Sequence, residues 1–318
     1  MVQALAIRAA DVRAAAGRIR PLARRTPVMT SAGFDAEAGA RVHFKCENLQ
    51  RGGAFKIRGA SNLVLSLSPD ALKHGVVAYS SGNHAQATAI AAKHVGVQAT
   101  IVMPEDAPKS KMDSTRGHGA RIVTYNRFKD SREAIAHSIL KETGATLVPP
   151  FDHPMIMAGQ GTAALELLEE TGPLDALITP VGGGGLLAGC ATIAKDLQPG
   201  IRVFGAEPEG ANDTFLSMIS GERTAIHPDT IADGLRATKP GELTFPVLRQ
   251  LVERIVLVSD DEIRAAVKFL LLRLKILAEP SGAVPVAAVL FRKLPPEIRS
   301  VGVVISGGNV DFEELAKY

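Results

Sequence analysis

The chain has 318 residues, 46% of them hydrophobic, with a mean hydropathy of +0.12, enough to bury a large core as two domains or one large α/β unit. Lys and Arg number 36 against 33 Asp and Glu, and apart from Arg24-Arg25 they are scattered, which excludes the basic stripe of a nucleic-acid or anionic-membrane binder. Cys46 and Cys190 lack metal-ligand spacing and read as small buried hydrophobes of a reducing compartment. Met1 to Arg8 meets charge before a signal-peptide core can form, and no apolar run reaches membrane-spanning length, so a soluble cytoplasmic protein is expected.

In chain order, residues 8–20 alternate Ala and Arg with apolar positions at helical spacing, and Pro21 and Pro27 stop that helix. Thr26-Pro27-Val28 and Arg41–Lys45 read as strands, and Ile57–Leu67 as a helix. From Gly75 a strand, turn and helix pattern repeats. Its strands are Val76–Tyr79, Ala99–Met103, Arg121–Thr124 and Thr146–Val148; its helices end at Lys93, span Lys109–His118 and span Ser131–Glu142. Pro149-Pro150 breaks the chain. Beyond it come a helix over Ala158–Glu170, the strand Ala176–Thr179, a helix over Leu186–Asp196, the strands Arg202–Ala206 and Arg254–Val258, a capped helix over Ser259–Leu277, and the strand Val301–Ile305. Short apolar strands alternating with helices predict α/β architecture: two open twisted parallel-sheet domains. The expected boundaries are a large domain of residues 1–74 and 149–318 and a small mobile domain of 75–148.

In open parallel sheets ligands bind beyond the carboxyl ends of strands, so the loops there hold the candidate sites. Gly182 to Gly185, between a strand and a helix, offers consecutive backbone N–H groups at the positive end of a helix dipole, a cradle for a monophosphate. A tight turn is the other reading. The stretch is neither a Walker loop nor a GxGxxG dinucleotide site, which disfavours a nicotinamide dehydrogenase. Ser80-Ser81-Gly82-Asn83-His84 opens a helix with hydroxyls, an amide and free N–H groups suited to a substrate carboxylate. Ser306 follows a buried strand and can donate one hydrogen bond to a ring nitrogen; read alone it is a turn serine. Lys56, between Phe55 and Ile57 and behind Gly52-Gly53, is placed to lose water and become nucleophilic. A phosphate cradle, a desolvated lysine and a one-bond partner for a ring nitrogen together describe a pyridoxal 5′-phosphate site.

The sequence resembles the β-family (fold type II) pyridoxal-phosphate enzymes, in the branch of serine/threonine dehydratases, serine racemases and 3-hydroxyaspartate dehydratases. The matching segments are Ala54–Ala60, Ser80–His84, Ala158–Thr162, Gly182–Gly185, Ile231–Gly234 and Ser306–Asn309, in order along nearly the whole chain. The resemblance implies that Lys56 holds the cofactor as a Schiff base and then takes the substrate's Cα proton. It implies that Asn83 bonds the ring oxygen, Phe55 packs on the ring, Gly182, Gly183, Gly184 and Gly185 hold the phosphate, Leu186 and Gly234 complete the pocket, and Ser306 faces the ring nitrogen. Ser80, Ser81, Gly82, Asn83 and His84 would bind substrate. The implied reaction is loss of the β-hydroxyl of a small amino acid, L-serine or L-threonine, with the phosphate as proton donor, giving a 2-oxo acid and ammonia.

In the racemases of this branch the serine at the position of Ser81 lies across the cofactor from the lysine, so racemisation is an alternative, as is 3-hydroxyaspartate dehydration. The resemblance also implies a divalent cation, Mg2+ with Ca2+ or Mn2+ as substitutes, held by Glu207, the carbonyl of Ala211 and Asp213, and a homodimer as the assembly. Without the resemblance, that acidic segment reads as a surface loop. Arg51-Gly52-Gly53 departs from the nucleotide-binding racemases. Arg236 could meet a β-carboxylate but reads as a solvated arginine. From a different class, a catalytically silent metabolite-binding protein on the same fold is opposed by the presence of Lys56.

Overall fold

Strands that carry unbroken apolar runs are buried on both faces, and three of them, Ala99–Pro104, Ala176–Pro180 and Ser300–Ile305, are buried at every residue. The computed structural model describes residues 5–107 and 109–318, with every side chain but that of Ser110; Met1 to Ala4 of the stretch read against a signal peptide lie outside these residues. Its strands are β1 (Val28–Met29), β2 (Arg41–Cys46), β3 (Val76–Tyr79), β4 (Ala99–Pro104), β5 (Arg121–Tyr125), β6 (Thr146–Leu147), β7 (Ala176–Pro180), β8 (Arg202–Pro208), β9 (Arg254–Val258) and β10 (Ser300–Ile305). They form a six-stranded sheet in the order β1-β2-β10-β7-β8-β9 and a four-stranded sheet in the order β5-β4-β3-β6. Every pairing is parallel except β1 with β2.

The six-stranded sheet lies between two apolar layers. On one side Phe34 packs edge-on against Phe44 and Phe269, with ring centroids 4.9 and 5.3 Å apart, beside Val284 and Val303. On the other, Val12, Met157, Leu187 and Val247 join the helices Ala9–Arg18, Pro154–Thr171, Gly185–Leu197 and Thr244–Leu251. The core beneath the four-stranded sheet includes Val76, Ile101 and Ala85, but also Leu22, Ile57, Ala60 and Ile156 from outside residues 75–148. The helix Lys56–Val64 therefore packs against the smaller sheet's layer.

That helix is also tied down by buried charge. Arg58, Lys45 and Glu47 are fully buried, and Glu166 nearly so. Arg58 donates to Glu47 from Nε at 2.7 Å and Nη2 at 2.8 Å, to Glu166 from Nη1 at 2.8 Å and Nη2 at 2.7 Å, and to Thr162 at 3.0 Å. Lys45 donates to Glu166 at 2.6 Å and to the Thr26 carbonyl at 2.6 Å. Two cations face two carboxylates, so the cluster is neutral and each charge has partners.

The strands β3 and β9 have the expected bounds, and other expected elements are found with their ends moved. The helix expected over Ile57–Leu67 runs Lys56–Val64, and the strand expected over Thr26–Val28 is only Val28–Met29. The helix expected over Ser259–Leu277 is wrong in its second half. It has the expected capping box, Ser259 with Glu262, but becomes a wider turn at Leu270–Leu274 and ends where Lys275 takes φ 60°. A separate helix, Pro280–Leu290, then begins with Pro at its first position and is buried from Pro280 through Val289. The helices Ala32–Ala38, Asp213–Ser220 and Thr244–Leu251 were not expected either.

Candidate active site

Four chain segments leave the carboxyl ends of their strands on one side and meet in a cleft of about 230 Å³. Lys56 reaches it from β2 through two tight turns, Glu47–Leu49 and Arg51–Gly53. A backbone ladder fixes the loop before Lys56. The Phe55 N–H donates to the Ser306 carbonyl at 2.9 Å, the Gly308 N–H to the Gly53 carbonyl at 2.9 Å, and Ala54 bridges Gly307. The positions of Lys56 and Ser306 are thus set by one piece of sheet-like pairing. Lys56 Nζ donates to the Pro150 carbonyl at 2.9 Å and lies 5.1 Å from the Phe55 ring centre. Loss of water in the cleft lowers its pKa to about 8, against the opposing pull of the Glu279 carboxylate.

Gly182 to Gly185 lines the opposite wall. Gly184 takes φ +91°, and the helix Gly185–Leu197 that follows has no side-chain cap, leaving its first N–H groups for a ligand. The glycines are required by crowding. A Cβ at Gly185 would stand 2.6 Å from Gln160 Oε1, and one at Gly183 would stand 2.4 Å from three atoms of the Phe151 ring. Gly234 and Leu235 pack on the same loop, and Leu186 lines the cleft with them.

Ser80, Ser81, Gly82, Asn83 and His84 all line the cleft, and their loop opens the helix Asn83–His94, whose N-terminus again has no side-chain cap. Ser80 Oγ accepts from the Gly82 N–H at 3.2 Å. Asn83 is engaged by protein: its Nδ2 donates to Glu279 Oε1 at 2.7 Å and its Oδ1 accepts from Asn309 Nδ2 at 2.8 Å. His84 turns inward, with Nε2 donating to the Val148 carbonyl at 2.8 Å. Burial, and then the nearby Lys56, push its pKa down to about 3, so the ring is neutral. Ser306 is buried at the cleft wall.

Sequence reasoning missed Glu279, Phe151, Lys111 and Arg132, all of which line the cleft. Glu279 is buried, and desolvation with Asp233 nearby raises its pKa to about 8. A Pro following an acidic residue and opening an apolar run is a helix-start signal at Glu279-Pro280, but the sequence reading assigns no element between Leu277 and Val301. Arg132 lies over the Tyr79 ring, 5.4 Å from its centre. Arg236, weighed for a β-carboxylate, is exposed but lines the cleft, and its guanidinium donates to the Thr230 carbonyl.

At the end of β8, Glu207 and Asp213 are both fully buried. Glu207 accepts from the backbone N–H groups of Thr214 at 3.2 Å and Phe215 at 2.9 Å, whereas both carboxylate oxygens of Asp213 are buried without a partner. Burial raises Asp213 to about 7, and burial with the Asp213 charge raises Glu207 well above the ordinary range. Among the described residues no cluster of three His, Cys, Asp or Glu side chains could hold a metal, so a cation here would need backbone oxygen and water besides the two carboxylates.

The fold and this cleft define a class. Residues 19–307 match the family described as pyridoxal-phosphate dependent enzyme, and the chain belongs to that family. Among individual proteins, it is 48% identical to the L-threo-3-hydroxyaspartate ammonia-lyase of Saccharomyces cerevisiae over 96% of this chain and 94% of that protein. It is 46% identical to the serine racemase of Schizosaccharomyces pombe over 97% and 96% of the two chains. The structure of maize serine racemase superposes with a TM-score of 0.95 at 43% identity, covering 98% of this chain and 96% of that one. The residues present fit pyridoxal phosphate: the glycine loop has room and donors for a phosphate, and Lys56 is desolvated opposite it.

Proposed function

We propose that the protein is a pyridoxal-phosphate-dependent ammonia-lyase acting on a small β-hydroxy amino acid, L-serine or L-threonine, and releasing a 2-oxo acid and ammonia. The observation that carries the reading is the depressed Lys56 amine facing the uncapped glycine loop across one cleft. The cofactor, when bound, supplies the electron sink that makes the substrate's Cα–H acidic. Gly182 to Gly185 hold its phosphate, and Lys56 anchors it. A pKa near 8 gives Lys56 a substantial neutral fraction at physiological pH, so its amine takes the Cα proton. The open N–H groups before the helix Asn83–His94 receive the substrate carboxylate. Residues 75–148 form a small domain that closes over the substrate and excludes water. Loss of the β-hydroxyl completes the elimination.

A second reading, 3-hydroxyaspartate as substrate, is favoured by Arg132, a cleft cation able to meet a β-carboxylate. Racemisation would use Ser81, whose hydroxyl lines the cleft. The unpartnered Asp213 oxygens beside Glu207 support a Mg2+ site completed by the Ala211 carbonyl and water. Exposed Leu49 and Leu277, brought together by the Asn48 to Leu277 hydrogen bond of 2.9 Å, support a homodimer, which sedimentation would test.

The deciding experiment is a turnover panel of L- and D-serine, L-threonine and the 3-hydroxyaspartate stereoisomers, resolving oxo acid from inverted amino acid. Lys56→Ala is expected to lose both the visible band of the lysine-bound cofactor and ammonia release. Retention of both would refute the reading.

A further inference from the structure

Closure of one sheet over another needs contacts that form on closing and break on opening. Among the described residues, three side-chain contacts across this cleft involve Asn83 and Lys111. Two belong to Asn83, inside the cofactor site. The third is an ion pair at the mouth: Lys111 Nζ donates to Asp233 Oδ2 at 2.7 Å. Lys111 comes from the helix Lys109–Gly117 between β4 and β5, and Asp233 from the turn Asp233–Leu235.

The Asp233 side is firmly attached to the six-stranded body. The Gly234 N–H donates to Ser281 Oγ at 2.9 Å, and the turn packs against Gly182. The other side moves with the four-stranded sheet. Against the cost of its burial, Asp233, with smaller contributions from Glu279 and Asp311, raises the pKa of Lys111 and favours its charged form. The pair is 24% and 48% exposed, intermediate between a buried bridge that cannot reopen cheaply and a free surface pair that holds nothing.

We propose that Lys111 and Asp233 form the latch that holds residues 75–148 shut over a bound amino acid. The inference rests on the reading of that segment as a mobile domain. Breaking the pair shifts the population toward the open form, which binds substrate less tightly and releases product sooner. A half-exposed pair of this kind supports a shift of about two- to fivefold in the open population.

The test uses the holoenzyme with Lys111→Met, Asp233→Asn and the double variant Lys111→Met/Asp233→Asn. Hydrogen exchange of the Ser80–Ala85 amides reports opening without any need for turnover. Both single variants are expected to exchange about two- to fivefold faster and to raise KM by a similar factor with a smaller change in kcat. The double variant is expected to match the more affected single variant instead of adding the two effects, because each single change already breaks the same pair. Raising salt from roughly 0.05 to 0.5 M is expected to move the wild type toward the single variants, an arm that depends on no variant folding. Exchange in the single variants and in salt that matches the wild type at low salt would overturn the latch, as would fully additive effects in the double variant. Absence of turnover in the wild type would instead refute the proposed activity while leaving the exchange measurement to judge the latch.

Discussion

Replacing Arg58 by Met removes one of the two buried cations that hold the helix of Lys56, and its cost follows from what it leaves behind. Glu47 is fully buried and would lose both its bonds from Arg58, keeping those from Thr26 Oγ1 at 2.5 Å and Gln50 at 3.5 Å. Glu166 would keep Lys45. Breaking one side of a buried charge group costs about 3–5 kcal/mol, because the abandoned charge stays desolvated. Against a total stability of roughly 5–15 kcal/mol that is a severe loss. The urea midpoint of the apoprotein should fall accordingly with an unchanged slope. Replacing Glu47 and Arg58 together by Met should cost less than the sum of the two single changes, since neither charge is then stranded. The wild-type pH dependence has a fixed sign. Arg58, against an opposing desolvation cost, holds Glu47 below the usual carboxylate range, so its contribution is complete above that range and is lost as pH falls through the lowered value. An Arg58→Met loss below about 1 kcal/mol, or additivity of the two single changes, would refute the account of the cluster as a mutually dependent unit.

Lys56, lowered to about 8, should capture added pyridoxal phosphate faster as pH rises from 7 to 9 and level off above about 9, followed by the growth of the visible band; a rate still rising steeply at pH 10 would show an ordinary lysine. The same shift means that the cost of burying Lys56 is present in full below pH 8 and disappears as pH climbs toward the free-lysine value of 10.5. Gly183→Ala would press a methyl group to 2.4 Å from the Phe151 ring atoms, and cofactor titration should show affinity at least about tenfold weaker, with unaltered affinity counting against the cradle. Mg2+ at about a hundred times its dissociation constant should stabilise the chelated protein by about 2.7 kcal/mol in thermal melts, and Asp213→Asn should abolish that response. A melt indifferent to Mg2+ would remove the cation site.

Lys56 was legible from its setting between Phe55 and Ile57 behind Gly52-Gly53; the glycine loop and Ser306 were legible because each sits where a strand pattern ends, and strand patterns are local. The bounds of β3 and β9 were read to the residue for the same reason. Glu279 was not legible. It lies at the start of a helix that is apolar on every face and contains Pro285, so neither periodicity nor helix propensity marked a new element. Arg58 was beyond reach for another reason: its partner Glu166 is 108 positions away, and charge pairing over that distance leaves no pattern in one sequence. The carboxylates at Glu207 and Asp213 were visible as residues, but only the structure reveals that both are buried and that one has no partner.

The ladder between Gly53–Phe55 and Ser306–Gly308 joins segments some 250 positions apart, and this has a consequence for the order of folding. A growing chain that has made Lys56, the glycine loop and both sheets' early strands still lacks the edge that fixes its lysine. Only when β10 inserts between β2 and β7 does that edge exist. Non-local closure of this kind comes late. Cofactor capture then reports completion of the larger sheet, and a chain halted before β10 would leave the ribosome with the parts of a site and no means of holding them together.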